Sequence, residues 1–290
     1  MVRPFIFITL SCKPKTSMRH AFLIIAHQEP ELLRTLVSLI DHPDCDIYIH
    51  IDQKSDMDIF RDITTRKSRV EFIQNRINVR WGHYSQILTE LKLFETAHLK
   101  EEYSYYHLIS GADLPLKPIS SIIKWFEENQ GYEYLGAHPA PKKFQKRMYR
   151  RYFFITRKRN IVTKLILALE KILGLKWNSK TEVWMSSNWG SFTHRYVSQI
   201  LANRAWIEKH FKYSFCGDEL YKSTLIHHLG LEKYDKGSLL HVDWKRGNPY
   251  IFQEEDFDEL IRSDKMFARK FSIKHKSIIN KLTEYLLNHV

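Results

Sequence analysis

The side chains able to move a proton or hold a phosphate recur at particular places in this 290-residue chain. His27 follows the apolar run from Ala21 to Ala26, Asp52 follows the run from Asp46 to Ile51, and Ser110-Gly111-Ala112-Asp113 follows the run from Tyr105 to Ile109. Any one of them would serve as an ordinary turn or cap residue. Together they describe a polar pocket at one edge of a sheet. Cys216-Gly217-Asp218-Glu219 then places two acids at the start of a helical stretch that continues through Leu220, Leu225 and Ile226. Acids there either complement the helix dipole or supply the lone carboxylate that general-base chemistry needs. Trp184 to Phe192 mixes aromatic and small polar side chains, a composition suited to a sugar-facing wall, ahead of a helix beginning near His194. Asp243 to Pro249 reads as a turn, and Arg262, Lys265, Arg269 and Lys270 supply cations near a helix end that could cradle phosphates or form a solvated face.

Several chemistries lack their motif. Neither a P-loop nor a G-x-G-x-x-G fingerprint is present, and G-x-S-x-G and H-E-x-x-H are also missing. D-x-D occurs as Asp44/Asp46, Asp56/Asp58 and Asp256/Asp258. Such pairs hold a divalent metal against a diphosphate in many sugar-nucleotide enzymes. Here the first precedes a strand and the others open or occupy helix-like stretches, so no metal role is expected of them.

The elements that must position these residues follow from periodicity. Continuous apolar runs of strand length at Ala21–Ala26, Asp46–Ile51, Val70–Ile73 and Tyr105–Ile109 alternate with helical spacing over Glu29–Ile40, Gln86–Leu99 and Ile119–Glu128. Strand–helix alternation implies parallel pairing with right-handed crossovers, hence an open α/β sheet whose ligands sit beyond the carboxyl ends of its strands. Residues 1–17 read as a leader outside the fold, leaving 18–290 as one domain.

Composition is globular, with 43% hydrophobic and 27% charged residues and only 10 Gly and 9 Pro. The formal charge of +12 points to an anionic partner. Ten Lys and Arg and no acid fall in residues 142–164, which lead into the apolar helical stretch Leu165–Leu175. This arrangement suits phosphate and base contacts in a nucleic acid, an anionic membrane surface, or a solvated loop beside a core helix. Cys12, Cys45 and Cys216 are too few and too scattered for a disulfide framework or a thiolate zinc site, which fits a reducing cytosol.

His27, Ile49-His50-Ile51-Asp52-x-Lys54-Ser55, Trp81-Gly82, Leu108 through Lys117, Asn188-Trp189-Gly190, Asp218-Glu219 and Asp243-Trp244, in this order, resemble the core-2/I-branching β-1,6-N-acetylglucosaminyltransferases, a family that also contains protein O-xylosyltransferases. The likeness runs from about His20 to Phe271. It implies a GT-A-like fold that binds a UDP-sugar and inverts the anomeric carbon without a metal or other cofactor. On this resemblance Glu219 matches the base, Arg246 and Lys270 the two cations that replace the metal on the diphosphate, His27 and Asp52 lie beside the uridine, and Asp113 sits near donor and acceptor. Trp189 would help form the acceptor wall, and Lys146, Arg147 and Arg150 fall near an acceptor- or donor-contacting segment.

Animal members carry a membrane anchor, a stem and several disulfides. A short, basic, cysteine-poor member looks like a bacterial-type enzyme that builds surface polysaccharide or lipopolysaccharide from the cytosolic face of the membrane, with a glycan or lipid-linked saccharide as acceptor. N-acetylglucosamine is the expected sugar. Xylose or another sugar handled by the same machinery is the alternative within enzymes, and a basic nucleic-acid-binding protein the alternative outside them.

Overall fold

The computed structural model describes residues 18–153, 161–178 and 180–289. The expected leader, and residues 154–160 of the basic segment, lie outside them. Strands β1 (His20–Ala26), β2 (Cys45–Ile51), β3 (Arg69–Phe72) and β4 (Tyr105–Ser110) alternate with helices α1 (Pro30–Leu39) and α2 (Ser85–Lys100). All four strands pair in parallel, in the order β3-β2-β1-β4, with His20 opposite both Cys45 and Tyr105. Side chains on a strand alternate between faces, and the two cores follow that period. Phe22, Ile24 and Ala26 of β1 join one buried cluster, while Ala21 and Leu23 join the other. This is the open, mostly parallel sheet flanked by helices that the sequence predicts.

Past β4 the chain forms β5 (Asp113–Pro115), α3 (Ile119–Glu128), β6 (His138–Pro139), α4 (Lys142–Tyr149), α5 (Ile161–Ile172), β7 (Trp184–Met185) and β8 (Gly190–Thr193). Periodicity does not predict β8, which adds antiparallel to β4 at the sheet edge, with Leu108 opposite Gly190 and Tyr105 opposite Thr193. Gly190-Ser191-Phe192-Thr193 holds one large apolar side chain, so neither an apolar run nor an alternation registers. Then come α6 (His194–Ala202), α7 (Arg204–Phe211), a 3₁₀ turn at Gly217–Glu219, α8 (Tyr221–His228), β9 (Leu240–Val242), α9 (Phe257–Arg262), β10 (Phe267–Arg269) and α10 (Lys276–Asn288). Helix α5 corrects the core-helix reading: Leu165, Leu169 and Ile172 are exposed.

The second sheet, β5-β10-β9, decides how the site is built. Its antiparallel β5–β10 register sets Arg269 directly opposite Asp113. The cations expected near a helix end are thus split, with Arg269 closing a strand and Lys270 immediately after it. Asp46 of the first D-x-D pair lies within β2 and is buried, rather than preceding the strand.

Candidate active site

The exits of β1 and β2 are tied together by the Asp52 amide, which donates to the Ala26 carbonyl at 2.9 Å. Asp52 is buried and accepts from the Lys54 amide at 3.0 Å, and its carboxylate pairs with the Lys54 ammonium at 3.2 Å. His27 stays exposed beside it, its carbonyl accepting from the Ser55 hydroxyl at 2.7 Å. Partial desolvation lowers the His27 pKa; Asp52 opposes the shift, and the charges of Lys270, Lys54 and Arg269 add to it. One acid, one neutral imidazole and three cations therefore gather beyond the strand ends.

Asp113 sits at the exit of β4 with no exposed surface. Its carboxylate accepts from the Ser110 amide at 2.8 Å and the Ser110 hydroxyl at 2.7 Å, and pairs with the Arg269 guanidinium at 2.7 Å. Completely buried and already bonded to Ser110 and Arg269, it offers no surface to donor or acceptor and instead positions Arg269. That guanidinium lies 5.0 Å from the centre of the Trp189 ring. Trp189 is only 8% exposed, so it offers an acceptor a sliver of ring rather than the broad wall expected. Gly111 lets this turn close on β1, since a Cβ there would stand 2.7 Å from the Ala26 methyl.

Glu219 ends the 3₁₀ turn with its side chain 35% exposed and ion-paired to Arg147 of α4. Arg147 is held over the Phe144 ring at 4.3 Å and the Phe215 ring at 5.7 Å. The turn is shaped from both sides. Cys216 takes a left-handed φ of 50°, a conformation that costs a non-glycine residue about 1 kcal/mol or more and concentrates at functional sites. Its amide donates to the Gly82 carbonyl at 2.9 Å. Gly82 itself has φ +72°, and a Cβ there would meet the Phe215 ring at 2.7 Å. On the other side the Ser186 amide donates to the Glu219 carbonyl at 3.0 Å, which brings the Trp184–Trp189 segment against the turn.

Beneath Glu219 lies a buried polar network that sequence reading missed. Gln86 donates to Asp218 at 2.8 Å; Lys222 pairs with Glu90, both side chains 1% exposed, and Tyr221 donates to Glu90 at 2.8 Å. One spacing signal existed. Gln86 and Glu90 stand four apart on α2, and Asp218 and Lys222 four apart on the facing segment, so each pair shares a helix face.

The two expected diphosphate cations part company. Lys270 is half-buried with no acid partner among the described residues, and its backbone is fixed to Tyr250 and Phe252. Arg246 is enclosed by Asp243, Asp256 and Glu259, with the Glu259 contact at 2.8 Å. Three carboxylates balance its charge, so it is not the free cation expected beside Glu219. Of the remaining acceptor residues, Lys146 is exposed on α4, and Arg150 donates to the Leu167 carbonyl at 2.9 Å, which ties α4 to α5. Among the described residues no cluster of three or more His, Cys, Asp or Glu is disposed to hold a metal. The D-x-D acids are engaged elsewhere: Asp46 with Arg19 and Arg69, Asp58 with Arg61, and Asp256 with Arg246.

A parallel α/β sheet with acids and cations gathered beyond its strand ends is the arrangement in which open α/β folds bind their ligands. The family model for the Core-2/I-Branching enzyme matches residues 20–261, and the chain belongs to that family, whose members are glycosyltransferases. No curated protein matches it. Among solved structures, mouse xyloside xylosyltransferase 1 in its apo form aligns at TM-score 0.38 and 10% identity over 86% of this chain and 96% of that one. A 4-diphosphocytidyl-2C-methyl-D-erythritol synthase aligns at TM-score 0.35 and 9% identity over 74% and 86% of the two chains. A glucose-1-phosphate thymidylyltransferase from Bacillus anthracis, described as putative and in complex with a sucrose, aligns at 0.34 and 8% identity over 76% and 86%. All three likenesses are remote.

Proposed function

We propose that this glycosyltransferase moves a sugar, N-acetylglucosamine first among candidates, from UDP to a hydroxyl of a glycan or lipid-linked saccharide, inverting the anomeric carbon and using no metal. Its place is surface polysaccharide or lipopolysaccharide assembly, at the cytosolic face of the membrane. The observation that carries this reading is the placement of Glu219, which is partly exposed on a constrained turn, while Lys270, Lys54 and Arg269 gather around His27 at the strand ends.

Inversion is a single displacement and needs one base. The acceptor hydroxyl gives its proton to the Glu219 carboxylate, its oxygen bonds to the anomeric carbon, and the bond from that carbon to the UDP oxygen breaks with its electron pair leaving on the diphosphate. Fixed positive charge stabilises that leaving group electrostatically. Lys270 is the cation free to do so, with Arg269 and Lys54 adding to the local potential. Arg246 in its carboxylate cage fastens the Asp243 turn to Asp256 and Glu259. Arg147 orients the Glu219 carboxylate through their ion pair until the acceptor hydroxyl takes its place beside it.

Glu219→Gln is expected to cut turnover about 10²–10⁴-fold, the usual share of a general base, while stabilisation by UDP against thermal unfolding stays near wild type. Retained turnover removes Glu219 as the base. The same thermal assay across UDP-sugars identifies the donor.

A further inference from the structure

Helix α5 is built inside out. A helix on a globular surface turns its apolar stripe inward and its charges to water. Here Thr163 and Glu170 are the buried residues, and Glu170 accepts from the Trp177 indole at 2.9 Å. Ile161, Leu165, Leu169 and Ile172 follow one another at four, four and three residues along one face and are 56–80% exposed. Val162 and Leu173 widen the stripe. A contiguous exposed apolar surface of this kind marks an interaction site.

Charge says what covers it. Glu170 is the only acid in residues 142–181, and its burial leaves the stripe with the exposed ammonium groups of Lys164 and Lys171 on its own helix and of Lys176 just beyond it. Lysines beside an apolar stripe match the interface of an anionic bilayer, where acyl chains take the stripe and headgroup phosphates take the ammonium groups. A second copy of this chain fits poorly, because antiparallel pairing of two α5 helices would set like charges together. Among the described residues no helix is long and apolar enough to cross a membrane, so this contact lies in the interface plane. The helix is also coupled to the site: Arg150 binds the Leu167 carbonyl, and three residues earlier on α4 Arg147 pairs with Glu219.

We propose that α5 is a membrane-docking helix that lies in an anionic leaflet with Leu165, Leu169 and Ile172 inserted, and so presents Glu219 to acceptors held at the lipid surface. Docking itself is tested without donor or acceptor, so its failure is distinct from failure of the transfer reading. The full chain is sedimented with phosphatidylcholine vesicles containing phosphatidylglycerol, and with phosphatidylcholine vesicles alone. Binding is expected only to the anionic vesicles and to weaken with salt. Leu165→Glu with Leu169→Glu, both solvent-facing, should lower the partition coefficient about tenfold or more, since several buried methylenes are lost at each position. Lys164→Glu with Lys171→Glu, which spares every apolar side chain, should lower the anionic component as well. Turnover of a soluble acceptor should be unchanged in both. Equal binding of wild type to neutral vesicles, unchanged partition in both variants, or loss of a dimer in the leucine variant without loss of vesicle binding overturns the proposal.

Discussion

Asp218 and Glu219 are adjacent acids with opposite environments. A 3₁₀ turn advances about 120° per residue, so one side chain faces outward to Arg147 while the other faces the core. Inside, Asp218 accepts from Gln86 through one carboxylate oxygen, and the other, fully buried, has no partner. Burial, with Glu90 and Glu219 nearby, pushes its pKa up to about 7. The unfolded chain loses this proton near pH 3.8 and the folded chain only near 7, so the contribution to stability is complete below the lower value and is lost as pH rises through the upper one. Asp218→Asn should therefore flatten the decline in stability between those limits relative to wild type. Urea midpoints measured across that range decide it; an unchanged slope would remove Asp218 as the source. The acidic pair was legible in the sequence, but which member points outward was not, because a 120° step is set by the packing of Gln86 and Phe215 around the turn.

At the scale of elements, the site depends on α2 gripping α8. The pair Glu90–Lys222, with Tyr221 also donating to Glu90, links residues more than a hundred apart in sequence at a fully buried contact. Removing one partner strands a buried charge. Lys222→Met is expected to destabilise the fold by about 3–5 kcal/mol, and Lys222→Met with Glu90→Leu to recover much of that loss. Chemical denaturation of wild type, both single variants and the double variant checks it, and additive losses would deny the coupling. The parallel strands were legible because a strand buried on both faces reads as an unbroken apolar run. Strands β5, β9 and β10, three residues each, were not, although they set Arg269 against Asp113.

Across the whole molecule, the charge of +12 is a local matter, since residues 142–164 hold ten cations without an acid and the other 267 residues net only +2. Among the described residues of that stretch the arginines turn inward, Arg147 to Glu219, Arg150 to the Leu167 carbonyl and Arg151 onto the Trp177 ring at 3.5 Å, while Lys142, Lys143, Lys146 and Lys164 are exposed. A charge that partitions this way suits a surface contact beside the site better than an extended nucleic-acid track. On the proposed reading fixed cations neutralise the leaving diphosphate, and one acid of each D-x-D pair, Asp46, Asp58 and Asp256, is held by an arginine. Sugar transfer should therefore proceed at an undiminished rate in excess EDTA; a strict Mn²⁺ requirement in the same initial-rate assay would overturn the metal-free mechanism. By itself the sequence determined the parallel sheet, the family, and the places where acids and cations stand, because apolar period and motif order are written in consecutive residues. Only the tertiary structure decided that Asp113 is spent on Arg269, that Arg246 is caged while Lys270 is not, and that α5 shows its apolar face to solvent. Those outcomes depend on how the elements pack, which sets which charges meet and which faces stay open, as where β5 and β10 bring Asp113 and Arg269 together across 156 residues.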